Sequence, residues 1–202
     1  MSQMQTNLSR REQILSALAK MLEQSPGERI TTAALAKAVG VSEAALYRHF
    51  PSKTKMFEGL IEFIETSVFA QMALVLAEER SAITRCGSMV SLLLCFAEQN
   101  PGLARLLTGD ALTGETERLR QRMVQFFERI ENQFKQVLRD AEVHNPQTLL
   151  PAASFARFLM VYVDGAIVRF VRSEFQQRPS EPWLEQWKLL APVLMQIEVE
   201  EA

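Results

Sequence analysis

The chain has 202 residues, 48% of them hydrophobic, which excludes a disordered chain and leaves enough apolar material for one large domain or two small ones. Its net charge of −2 conceals an asymmetry, since residues 1–56 hold eight Lys/Arg against four Asp/Glu and residues 57–202 hold fourteen against twenty. A basic head on an acidic body suits a chain whose one end meets a polyanion.

Helical spacing runs through the whole sequence, and no alternating strand pattern lasts more than a few residues, so an all-α fold of about nine helices is expected. The opening MSQMQTNLSRREQ is polar with no apolar run behind it, which predicts no secretory leader and a cytoplasmic setting. Ser9 then caps a first helix with Ile14, Leu15, Leu18, Met21 and Leu22 on one face, ended by Pro26-Gly27. Thr31 or Thr32 caps a short second helix bearing a narrow stripe of Leu35, Ala36 and Val39, and Gly40 provides a tight exit. A third helix follows almost at once, over residues 42–50, stopped by Pro51.

Ser52 caps a long fourth helix with Phe57, Leu60, Ile61, Ile64, Val68 and Val75 in step, while Phe63 and Phe69 lie off that seam. Further helices are expected over 84–98, 103–107, 116–143, 149–175 and 182–197. The most apolar stretch, FLMVYVDGAIVRFV, is interrupted by Asp164 and too short to span a bilayer, so no membrane partner is expected. Cys86 and Cys95 lie about 2.5 turns apart, cannot bridge within one helix, and read as two buried small hydrophobes. Trp183 and Trp187 read as core or dimer packing, and Arg118, Arg120 and Arg122 most simply as a solvated basic face, with an acidic partner as the alternative.

The two short helices on either side of Gly40 match the spacing of a helix-turn-helix, whose second helix enters the major groove of DNA. At 100° per residue Leu46 and Phe50 point inward, leaving Ala44, Ala45 and Arg48 outward with Tyr47 and His49 on the flanks. Small side chains let a helix approach base edges and offer methyl contact to thymine. Tyr47, His49, Lys53 and Thr31 are candidates for phosphate contacts, the last two beside helix N-termini. Thr32, Val41 and Ser42 complete the candidate DNA-binding set. A short connecting helix in any helical protein would show the same pattern. His49 and His144 are the only histidines and have no ligand-spaced partners, so no metal and no cofactor are expected. Neither a phosphate loop nor a nucleophile elbow is present, which points away from an enzyme.

The stretch ITTAALAKAVGVSEAALYRHFPSKTKMF resembles the DNA-binding head of the TetR family, where a helix-turn-helix ending in Tyr-x-His-Phe, with a Lys shortly after, precedes a long fourth helix. The segments LIEFIE, NPGLARLLTGDAL, FERIENQFKQVLR and RFVRSEFQQRPSEPW extend the likeness along nearly the whole chain, to family members that act in nucleoid occlusion. That resemblance implies a DNA-binding head at 1–56 and a dimerisation and partner-binding body at 57–202. It further implies a homodimer on palindromic double-stranded DNA. Once on DNA, this dimer would capture the C-terminal tail of the tubulin-like division protein FtsZ and block ring assembly over the chromosome, without catalysis.

The family's tail groove maps onto Phe63, Leu92, Asn100 and Leu103, with Gln71 and Gln99 where basic residues are expected and Cys95 in place of a glycine. On residue pattern alone, Phe63 and Leu92 read equally as interhelical core. The alternative function is a ligand-responsive TetR-type repressor, which would need a pocket with a few convergent polar groups.

Overall fold

A computed structural model describes residues 8–25, 30–78, 81–144 and 151–195, and all regular structure among them is helical. The helices are α1 (Arg10–Gln24), α2 (Thr32–Val39), α3 (Glu43–His49), α4 (Lys53–Glu78) and α5 (Ala82–Gln99). They continue with α6 (Pro101–Leu107), α7 (Glu117–His144), α8 (Ala152–Arg172) and α9 (Trp183–Met195). The all-α expectation holds. A 3-10 turn at Asp110–Leu112, which the residue pattern does not predict, precedes α7. The stop expected at Pro26-Gly27, the helix start at 149 and the helix end at 197 lie outside the described residues.

Local chemistry explains the helix starts. Ser9 Oγ accepts from the Glu12 backbone N–H while the Glu12 carboxylate accepts from the Ser9 N–H, a reciprocal capping box. These two bonds hold the Glu12 carboxyl below the usual carboxylate range. Thr31, Ser42 and Ser52 each accept a backbone N–H three residues on, which settles the choice between Thr31 and Thr32 for α2. Gly40 closes α2 in the left-handed region at φ 74°, and the Val41 N–H reaches back to the Ala36 carbonyl.

The chain packs as two compact units. The first comprises residues 1–64 and 100–123; the second comprises 65–99 and 124–202, with α4 and α7 contributing to both. In the first unit Ile14, Leu18 and Leu22 of α1 are buried with Leu35, Leu46, Phe50, Phe57 and Ile61, each stabilising the fold by about 1.5–3 kcal/mol. α6 lies so close to α1 that a Cβ on Gly102 would sit 2.0 Å from the Ala19 carbonyl oxygen. In the second unit Trp183 is buried, its Nε1–H donating to the Gly87 carbonyl at 3.2 Å, and its ring packs against Tyr162 and Trp187. Phe69 meets Phe126 edge-on, with the Arg129 guanidinium 4.0 Å from the Phe69 ring centre.

Two expectations need correction. Cys86 is buried as expected, but Cys95 is exposed, because its side of α5 is not covered by core. The expectation of no membrane-spanning run, drawn from FLMVYVDGAIVRFV alone, also overlooks α4, which is long and apolar enough to cross a membrane by length and composition, an 18-residue window of it having a mean hydropathy of 1.6. Met56, Phe57, Leu60, Ile61, Ile64, Val68 and Met72 of this helix are buried in the packed units.

Candidate nucleic-acid interface and partner groove

α2 and α3 are joined through Gly40, Val41 and Ser42, and this short turn presents one face of α3 outward. Leu46 and Phe50 are buried, as the 100° spacing predicts, and they anchor α3 to its unit. Ala44, Arg48 and His49 are exposed, Tyr47 is 41% exposed, and Ala45 and Val41 are half-buried. The outward surface therefore carries two small residues bracketed by a phenol, a guanidinium and an imidazole. That surface admits close approach of a flat polyanion with donors at its rim.

Thr31 and Ser42 are exposed N-caps, and Thr32 is half-buried at the start of α2. Tyr47 donates to Thr32 Oγ1 at 3.4 Å, and Thr32 Oγ1 donates to the Glu43 carboxylate at 2.7 Å. This chain of bonds pins the phenol against α2. Glu43 is absent from the candidate set drawn from the sequence. Its signal was available, an acidic residue in the first turn of α3 beside a capping serine.

Lys53, expected to contact phosphate, is not free. Its Nζ lies 2.7 Å from Oε1 of Glu115 and 5.4 Å from the centre of the Phe57 ring. Two residues on, Lys55 pairs with Glu58 at 2.6 Å, and Glu58 also meets Arg118 at 3.7 Å. The Lys55 bond above all, with help from the Arg118, Lys55 and Arg122 charges, holds the Glu58 carboxyl below its ordinary range. Arg120 bonds to Glu117 and donates to the Glu115 carbonyl, and Arg122 donates to the Glu58 carbonyl. Arg118 and Arg120 are exposed, as the solvated-face expectation has it, and Arg122 is half-buried; Arg118 and Arg122 reach Glu58 of α4, while Arg120 alone braces the segment before α7.

Of the proposed groove residues, Phe63 on α4 is 51% exposed, Leu92 on α5 is half-buried, and Asn100 caps α6 half-buried. Leu103 on α6 is only 3% exposed. Gln71, Cys95 and Gln99 are exposed. A half-exposed phenylalanine leaves apolar surface in water that core packing would have buried, so Phe63 is not ordinary core within its own unit.

Residues 14–60 match the model for bacterial regulatory proteins of the tetR family, and residues 80–195 match the SlmA-like model of a tetracyclin repressor-like C-terminal domain. The chain is 61% identical to the nucleoid occlusion factor SlmA of Marinomonas sp. (strain MWYL1), covering 92% of this chain and 95% of that protein. It is 55% identical to the SlmA of Alteromonas mediterranea, covering 89% and 92% respectively. Among solved structures, it resembles the fatty acid degradation regulator FadR from Bacillus halodurans with a TM-score of 0.78 at 14% identity, over 92% of this chain and 96% of that one. A TetR transcription regulator from Haloarcula marismortui matches with a TM-score of 0.76 at 21% identity, over 92% and 97%. At these identities the solved structures speak to the fold alone. The sequence relatives span head and body together, so the chain belongs to the TetR family of helix-turn-helix regulators, in its SlmA branch.

Proposed function

We propose that the chain is a nucleoid occlusion factor: a homodimer that binds palindromic DNA sites and, once on DNA, holds the C-terminal tail of FtsZ so that division rings do not assemble over the chromosome. In this reading residues 1–56 grip DNA, residues 57–202 dimerise and meet the partner, and the protein works at the nucleoid in the cytoplasm without catalysing a reaction. The observation that carries it is the 61% identity to a nucleoid occlusion factor, which runs through the body as well as the head. Heads are shared by regulators of many functions, whereas bodies differ with the job.

Features of each unit support the reading. Exposed Phe158 and Val161 on α8, with Leu184 and Leu189 on α9, supply apolar surface suited to a helical seam between two copies. Ala44, Ala45, Tyr47, Arg48 and His49 supply a groove-docking face, and two copies would read half-sites about 34 Å apart. Phe63 and Asn100 in the first unit, and Leu92 in the second, each leave partly exposed surface for a peptide. The deciding experiment is titration of a labelled FtsZ tail peptide against the protein with and without its DNA site, and tighter binding on DNA is expected. Failure of the peptide to bind in either state would overturn the partner assignment.

One observation favours the repressor alternative. A groove of about 460 Å³ lies between α5 and α9, with Thr84, Ser88, Ser91 and Lys188 as its polar lining beside Trp187. Release from DNA by a small molecule, with no peptide binding, would select it.

A further inference from the structure

Lys53 stands at the first residue of α4, where the DNA reading places a phosphate contact, yet its ammonium already has an anion. The Lys53–Glu115 pair is largely withdrawn from water, with side-chain exposures of 23% and 13%, unlike the exposed pair of Arg11 with Glu62. Glu115 is held in place from both sides. Its N–H donates to the Leu112 carbonyl at 3.0 Å, and its own carbonyl accepts from Arg120 Nη1 at 3.1 Å. A carboxylate offers an ammonium the same oxygen acceptors and negative charge as a backbone phosphate.

We propose that Glu115 is an internal stand-in for a DNA phosphate: it occupies Lys53 in the unbound protein, DNA displaces it, and the displacement carries DNA occupancy into the 100–116 segment. The last step rests on the partner-groove reading above. The segment that would be released runs back from Glu115 through the 3-10 turn to Asp110, which is paired with Arg105 on α6 at 2.5 Å. α6 is preceded by its cap residue Asn100 and carries Leu103, and Leu103 is buried while Glu115 is clamped. A peptide can meet that side chain only when α6 shifts; Arg105 still ties α6 to α1 through the Leu22 and Ser25 carbonyls, so release of Glu115 loosens the far end of α6 against that anchor. Lys55 does not compete for Glu115, because it faces Glu58.

The test uses the full chain and a fluorescein-labelled palindromic duplex selected from random sequence. Glu115→Gln and Glu115→Asp are each expected to bind the duplex about three- to tenfold more tightly than the unaltered protein. Glu115→Asp keeps the net charge and shortens the reach, so its gain cannot come from long-range charge. In a Lys53→Gln background, Glu115→Gln should change affinity by less than about twofold. No gain from either variant, a gain from Gln but not from Asp, or an equal gain without Lys53 would each overturn the stand-in.

For the coupling, Glu115→Gln without DNA should bind a labelled FtsZ tail peptide at least about threefold more tightly than the unaltered protein without DNA. If the unaltered protein binds the peptide on DNA but Glu115→Gln gains nothing off DNA, the transmission step is wrong. If no form binds the peptide, the partner reading fails, and the duplex measurements alone decide whether Glu115 competes for Lys53. Circular dichroism melts of both variants separate these outcomes from loss of fold.

Discussion

Nη1 of Arg105 donates to the Leu22 carbonyl oxygen at 2.7 Å, tying α6 to the end of α1 across a buried contact. The same nitrogen reaches the Ser25 carbonyl at 3.1 Å, and Nε pairs with Asp110. The last carbonyls of a helix have no intrahelical donor, so this guanidinium satisfies groups that α1 leaves open. At 3% exposure it is a fully buried charge held by three oxygens. Arg105→Ala should therefore lower stability by about 3 kcal/mol or more, because it strands buried acceptors as well as deleting bonds. Arg105→Lys should recover only part, since an ammonium cannot reproduce the fork. Urea unfolding midpoints at constant slope are the measurement, and a loss within about 1 kcal/mol would show that water replaces the guanidinium freely.

The outward face of α3 yields a prediction about size. Ala44 is exposed, so Ala44→Leu should leave stability within about 0.5 kcal/mol. A leucine there would hold the helix away from base edges, and each base edge it no longer reaches costs about 1–3 kcal/mol of discrimination. Specific binding should drop at least about tenfold while binding to unrelated duplex changes little, because phosphate contacts supply the latter. Competition of labelled specific DNA by unlabelled random duplex reads out both.

The helices and the outward face of α3 were legible because they rest on local rules. Ser9, Ser42 and Ser52 announce helix starts by their chemistry, and the 100° step put Leu46 and Phe50 inside without any tertiary information. What escaped depends on residues far apart in sequence. Nothing near Lys53 indicates that Glu115 will sit against it, and nothing near Leu22 indicates that Arg105 will close its carbonyl. Cys95 was misread for a related reason. Periodicity shows which residues share a helix face, but not whether the fold supplies a neighbour to cover that face. The groove residues drew on family likeness, and Leu103 illustrates its reach: the position is given, while the burial of its side chain is a property of the packed unit.

Asp164 on α8 gives a pH prediction. Partial desolvation by the neighbouring side chains, and after it the like charge of Glu131, push its pKa up to about 6. Glu131 is itself paired with Lys135 at 2.6 Å and lies 3.9 Å from Arg157, which blunts the repulsion. In the unfolded chain the group titrates near 3.8, so between these values the folded state binds more protons than the unfolded one. Stability from this group therefore falls as pH rises from about 4 to about 6 and stays lower above that. Asp164→Asn should raise the unfolding midpoint at pH 7.5 and lose that advantage by pH 4. Asp164 is itself exposed on the surface of α8, so its desolvation is only partial, solvent screens the effect, and the shift in midpoint should be small. Equal midpoints for the two proteins at pH 7.5 would contradict the desolvation argument.

The two cysteines make the body accessible to chemistry. Cys86 is buried, and desolvation pushes its thiol up to about 12, so it should ignore an aromatic disulfide reagent until the protein unfolds. Cys95 is exposed, although desolvation first and the Glu98 charge second also raise its thiol, so it should react more slowly than a free cysteine. One thiol per chain should titrate under native conditions, and the second only in denaturant. Cys95 shares α5 with Leu92 and Gln99, three residues before it and four after, on one helical face. A peptide lying along that face would shield the sulfur. Labelling of Cys95 should therefore slow at least about fivefold when the FtsZ tail peptide and DNA are both present, and remain unchanged with a scrambled peptide. Protection by DNA alone would place the effect in the protein's own response to DNA, and unaltered labelling with bound peptide would move the tail off this face of α5.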